Sequence, residues 1–63
     1  MKKITEIEVF EDIDTSTDEP IWFMSYIDTN GRKQQMPLDA QTLEDAIFEA
    51  ANYHGVSEKE VSH

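Results

Sequence analysis

Sixty-three residues carry fourteen acidic and five basic side chains, a net charge of −9, and no cysteine. A field of that sign repels nucleic acid and anionic membranes and favours basic surfaces, and without thiols neither disulfides nor thiolate zinc sites can form, which fits a reducing cytosol. The length sits near the lower limit for one self-sufficient core, so residues 1–63 read as a single domain that gains from self-association or a partner.

In chain order, the first expected element is a strand over about residues 2–13. Lys2-Lys3 leads into Ile4-Thr5-Glu6 rather than an apolar segment, so no secretory leader is read there, and no transmembrane run follows. The expected location is the cytoplasm of a bacterial host. Ile7, Val9 and Ile13 share one parity; Ile4 and Phe10 share the other, together with Glu6 and Glu8. An acidic, turn-rich connection then spans Asp12 to Pro20. It invites comparison with a calcium loop. With Asp12 first, however, Thr17 takes the required glycine position and Phe23 the bidentate glutamate position, so the metal reading fails.

The second and third strands are expected over 21–28 and 32–38. Ile21–Ile27 is rich in β-branched and aromatic residues, and Asn30-Gly31 signals a two-residue type I′ hairpin loop. That loop would set Asp28 opposite Lys33 as an ion pair, Ser25 opposite Met36 and Phe23 opposite Leu38. One face would then collect Ile21, Phe23, Ser25, Ile27, Met36 and Leu38, and the other Trp22, Met24, Tyr26, Gln35 and Pro37.

A helix is expected over 43–54. Thr42 is the N-cap with Glu44 and Asp45 in the first turn. Leu43, Ala46, Ile47, Ala50, Ala51 and His54 form one apolar stripe, and Gly55 is the stop. The fold class is therefore α+β: a three-stranded antiparallel meander packed on one helix, in the order β-β-β-α, with a polar tail over 55–63. Within the tail, Ser57-Glu58-Lys59-Glu60 has a capping-box pattern that suits a helical turn, and Val56 and Val61 suit an extended segment docked on the helix; both remain open.

Nothing in the chain forms a catalytic constellation. His54 and His63 lack a carboxylate at ligand spacing, and His54 is better placed as a partner of the helix dipole. The serines have no glycine-flanked elbow, and no phosphate loop occurs. No catalytic, cofactor or metal residue is nominated. The candidates are for partner binding. Trp22, Met24 and Tyr26 qualify if the helix covers the Phe23 face; in the opposite arrangement Phe23, Ile27 and Met36 are the exposed set. Carboxylates add Asp12, Asp14, Asp18 and Glu19 on the connection, and Glu44, Asp45 and Glu49 on the helix.

The run Met36-Pro37-Leu38-Asp39-Ala40-Gln41-Thr42-Leu43-Glu44-Asp45-Ala46-Ile47 resembles the strand-to-helix junction of the small bacteriophage-encoded inhibitors of host RNA polymerase, and the pattern also occurs in some anti-CRISPR proteins. The resemblance implies a small sheet on one helix and an acidic strip that engages the target, matched here by Glu44, Asp45 and Glu49. Where that family has arginines in a strand after the helix, this chain has only Lys59. What it implies is thus the broader class, a small acidic phage inhibitor. The expected function is non-enzymatic: a nucleic-acid mimic that occupies the basic surface of a CRISPR effector, RNA polymerase or restriction enzyme. The alternatives are a homodimeric regulatory module joined through Trp22, Met24 and Tyr26, and an antitoxin-like binder of a basic protein.

Overall fold

The structure, a computed structural model, describes residues 4–63; the expected strand positions Lys2 and Lys3 lie outside them. Three strands, β1 (Thr5–Asp14), β2 (Glu19–Ile27) and β3 (Lys33–Pro37), precede one helix, α1 (Leu43–His54), and a single 3₁₀ turn at Glu58–Glu60. The strands form one antiparallel sheet in the order β1-β2-β3, an α+β arrangement of β-β-β-α.

The expected acidic connection from Asp12 to Pro20 shrinks to a tight turn, because β1 and β2 pair out to Asp14 and Glu19. The Asp14 carbonyl accepts from the N–H groups of Thr17 (3.3 Å) and Asp18 (2.7 Å). Its carboxylate accepts from the Ser16 amide (3.0 Å) and hydroxyl (2.7 Å). Asp18 completes the turn at φ 60°, a conformation aspartate tolerates better than most residues.

At the β2–β3 turn the expected register is off by one residue. Ile27 pairs with Lys33, Tyr26 with Gln34, Met24 with Met36 and Phe23 with Pro37. The loop has three residues, not two: Gly31 N–H donates to the Asp28 carbonyl (3.0 Å), Asp28 N–H donates to the Arg32 carbonyl (2.9 Å), and Gly31 alone is left-handed, at φ 81°. This is the three-residue hairpin with a left-handed glycine. The Asp28 carboxylate, expected to meet Lys33, instead accepts from the Asn30 and Arg32 amides and from Gln34 Nε2, each at 2.9 Å. A slip of one residue exchanges the faces of β3. Met36 and Leu38 thus join Trp22, Met24 and Tyr26, while Gln35 and Pro37 join Phe23 and Ser25.

In β1 a bulge between Thr5 and Glu8 sets two residues against Tyr26, with Glu6 at φ 54°. The extra residue changes the parity of everything before it. Ile4, expected on the face away from Ile7 and Val9, therefore packs against the same core as they do, whereas Ile13 lies exposed beyond the helix.

The helix has the expected bounds. The Thr42 hydroxyl accepts from the Asp45 amide (3.2 Å), and Gly55 ends it in the left-handed region at φ 67°. Ala46, Ala50 and Ala51 let its backbone approach the sheet, and with Ile7, Val9, Met24 and Val61 they make the buried core. The helical turn forms, and the extended segment that follows it bonds to β1 rather than docking on the helix alone. The turn at Glu58–Glu60 delivers Val61 into the core, and Ser62 then bonds the outer edge of β1, donating to the Ile7 carbonyl and accepting from the Val9 amide, both at 2.9 Å. That edge is closed to further pairing at these positions by the chain itself.

Candidate interaction surface

Because the helix lies on the Met24 face, the other face of the sheet is uncovered. Residues that pair across strands share a face, so the register lists its contents row by row. Phe10, Phe23 and Pro37 form one row; Glu8, Ser25 and Gln35 form the next; Asp12 and Ile21 lie on the other side of the aromatic row, followed by Asp14 and Glu19. The rings of Phe10 and Phe23 stack with centroids 5.7 Å apart and planes at 13°. Both side chains are half-buried by each other and by their neighbours, with their outer surface open.

Carboxylates surround this strip. Asp12, Asp14 and Glu19, nominated from the sequence, stand on this face at the distal end of the β1–β2 hairpin, and Asp18 lies in the turn beside them. Glu8, not nominated, stands at the other end. Asp14 faces Glu19 directly, a like-charge pairing that destabilises the hairpin. Hydrogen bonds from Ser16, first from its hydroxyl and then from its amide, hold the Asp14 carboxyl below the usual carboxylate range, so it keeps its charge into acid.

The helix acids belong to the other layer. Glu44 and Asp45 are exposed in the first turn of α1, and Glu49 is half-buried with its carboxylate accepting from the Asp39 amide (3.1 Å), a brace between the β3–α1 connection and the helix rather than a free charge. The two acidic groups thus lie on opposite sides of the molecule and do not form one surface.

The aromatic candidates fare differently from the expectation that they lie open. Met24 is 0% exposed, and Trp22 and Tyr26 pack against the core. The helix packs on their face of the sheet, where the slip adds Met36 and Leu38, so neither a partner nor a second copy reaches Met24. Of the alternative set, Phe23 and Ile27 lie on the uncovered face, while Met36 turned inward. The signal for Phe10 and Phe23 was present in the sequence as an aromatic at matching parity on each of two strands, but it needed the register to be read.

Two further features complete the surface. Phe48 and Tyr53 are 59% exposed each and line a groove with Met36 and Leu38, because α1 lies over β1 and β2 rather than β3. His54 wedges edge-on against Tyr26 (4.4 Å between centroids) and Tyr53 (4.9 Å), its Nε2 buried without a partner. Burial pushes its pKa down from 6.5, which favours the neutral imidazole.

Among the described residues no three His, Cys, Asp or Glu side chains converge as a metal site, and no helix is long and apolar enough to cross a membrane. Comparison with family models, with curated proteins and with solved structures finds no match.

Proposed function

We propose that this chain is a non-enzymatic binding protein of the phage-inhibitor type, which occupies the basic nucleic-acid-binding surface of a larger bacterial protein such as a CRISPR effector, RNA polymerase or restriction enzyme. The observation that carries the reading is the arrangement of the uncovered sheet face, where Glu8, Asp12, Asp14 and Glu19 flank a half-buried apolar strip of Ile21, Phe10 and Phe23. A rim of carboxylates around an apolar centre suits a cationic protein surface: the charges steer the encounter and the aromatic pair supplies contact area. The like-charge pair Asp14–Glu19 costs fold stability, and a partner's Lys or Arg would offset that cost. The mechanism is competition, with carboxylates standing where phosphates would bind.

The test is a capture from bacterial lysate followed by an assay of the captured protein. The expected result is a DNA- or RNA-binding protein held at low salt and released at high salt, whose nucleic-acid binding falls as the chain is added. Charge reversal of Asp12, Asp14, Asp18 and Glu19 together should abolish that competition. Undiminished competition by the reversed protein would overturn the reading.

A further inference from the structure

We propose that the uncovered sheet face reads arginine: the guanidinium of a basic protein segment enters a concavity over Ser25, between Glu6 and Glu8, while an apolar neighbour of that arginine rests on the Phe10–Phe23 pair. This rests on the reading of the chain as a binder of basic protein surfaces, and it adds the face, the anchor and the cation.

The concavity has a volume of about 370 Å³, with Ser25 and Ile27 on β2, Glu6 and Glu8 on β1, and Lys33 and Ser62 around it. Ser25 is only 2% exposed. Its hydroxyl nevertheless takes part in none of the side-chain hydrogen bonds among the described residues. A hydroxyl so placed gains when a donor enters. Glu6 supplies the second observation. It is neither Gly nor Asn, yet it holds the left-handed conformation at the bulge, and bulges re-aim side chains at the sites where they occur. Here the bulge sets Glu6 at the same concavity as Glu8.

The geometry favours a guanidinium over an ammonium. Its five donors form a planar fork that two carboxylates and a hydroxyl can share, and it sheds water more readily than an ammonium does. Lys33, the one cation among the lining residues, stands against two carboxylates and leaves the concavity negative. Along the strands the Ser25 row and the Phe23 row are about 7 Å apart, the spacing of side chains two residues apart in an extended peptide. The occupant is therefore an extended segment with arginine and an apolar residue at i and i+2. A second copy is the wrong partner, since two chains of charge −9 would meet carboxylate to carboxylate.

The experiment is an amide NMR titration with a capped Ser/Thr peptide carrying arginine and leucine two residues apart, alongside its lysine and citrulline counterparts. Shifts are expected at Glu6, Glu8, Phe10, Phe23 and Ser25, with arginine binding about three- to tenfold tighter than lysine and citrulline giving none. Glu6→Gln and Glu8→Gln, both on exposed side chains, should each weaken the arginine peptide severalfold while keeping a dispersed spectrum, and Glu44→Gln should not. Shifts centred on Glu44 and Asp45, equal response to lysine, or indifference to both substitutions would overturn the proposal. So would shifts of the same face on raising protein concentration alone, the mark of a second copy. Any of these, with salt-sensitive competition for a nucleic-acid-binding protein intact, would sink the arginine site and leave the broader function standing.

Discussion

Gly31 is the residue at which one backbone angle decides what the sheet buries. A two-residue loop needs positive φ at both Asn30 and Gly31, whereas the loop observed needs it only at Gly31, where φ is 81°. The two cases separate experimentally. Asn30→Ala should cost less than about 0.5 kcal/mol. Gly31→Ala should cost about 1–2 kcal/mol from backbone strain alone, since an added Cβ meets nothing within 4 Å. Urea unfolding of both variants checks this, and a similar loss for both would restore the two-residue turn. His54 makes a second prediction at this scale. Its folded pKa lies below the ordinary 6.5, so between those values the unfolded chain binds more protons and stability rises with pH. That stability is complete above about 6.5 and is lost as pH falls through the folded value. Asp14 and Asp28 are likewise lowered, from 3.8, by hydrogen bonds to their charged carboxylates: their contributions are present above that value and fade only below it. The urea midpoint should therefore be higher at pH 7 than at pH 5, and His54→Leu should flatten the slope.

Among the elements, the bulge in β1 is the one that local preference argues against. A non-glycine residue in the left-handed region costs about 1–2 kcal/mol, and replacing it by glycine returns about 0.5–1 kcal/mol of that in chain entropy. Glu6→Gly should thus raise thermal stability slightly, by up to about 1 kcal/mol, while weakening any cation bound between Glu6 and Glu8; a destabilised Glu6→Gly protein would mean that the bulge is not strained. How far each element was legible follows from what it rests on. The helix was readable to the residue because Thr42, the alanine stripe and Gly55 agree. The hairpin was readable in place but not in register, since Asn-Gly serves two loop lengths equally well. β2 could not arbitrate, for it is apolar on both faces: Trp22, Met24 and Tyr26 on one, Ile21, Phe23 and Ile27 on the other. The bulge left no trace in the pattern, so Ile4 was placed on the wrong side. The candidate surface inherited these gaps. Its carboxylates at Asp12, Asp14 and Glu19 were visible as charge, but Phe10, Ser25, Glu6 and Glu8 become neighbours only through the register.

For the whole molecule, charge has opposite consequences for folding and for binding. Self-repulsion at −9 disfavours the compact state. Salt screens it within about 10 Å at 0.1 M, so the melting temperature should rise by about 3–8 °C between roughly 10 and 150 mM sodium chloride, over the range in which affinity for a basic partner falls. A melting temperature that does not move with salt would show that the carboxylates are spaced too widely to repel. The bond from Ser62 to β1 joins two ends of the sequence around a core that already contains the hairpins and the helix. Closing so large a loop is slow and entropically costly, and is rewarded only once the rest is in place. The contacts of Val61 therefore belong late on the folding pathway. In a chevron plot, Val61→Ala should leave the refolding arm nearly unmoved and shift its loss of about 1–2 kcal/mol into faster unfolding. In kinetic terms, the tail acts as a latch that governs how long the folded state lasts rather than how quickly it is reached.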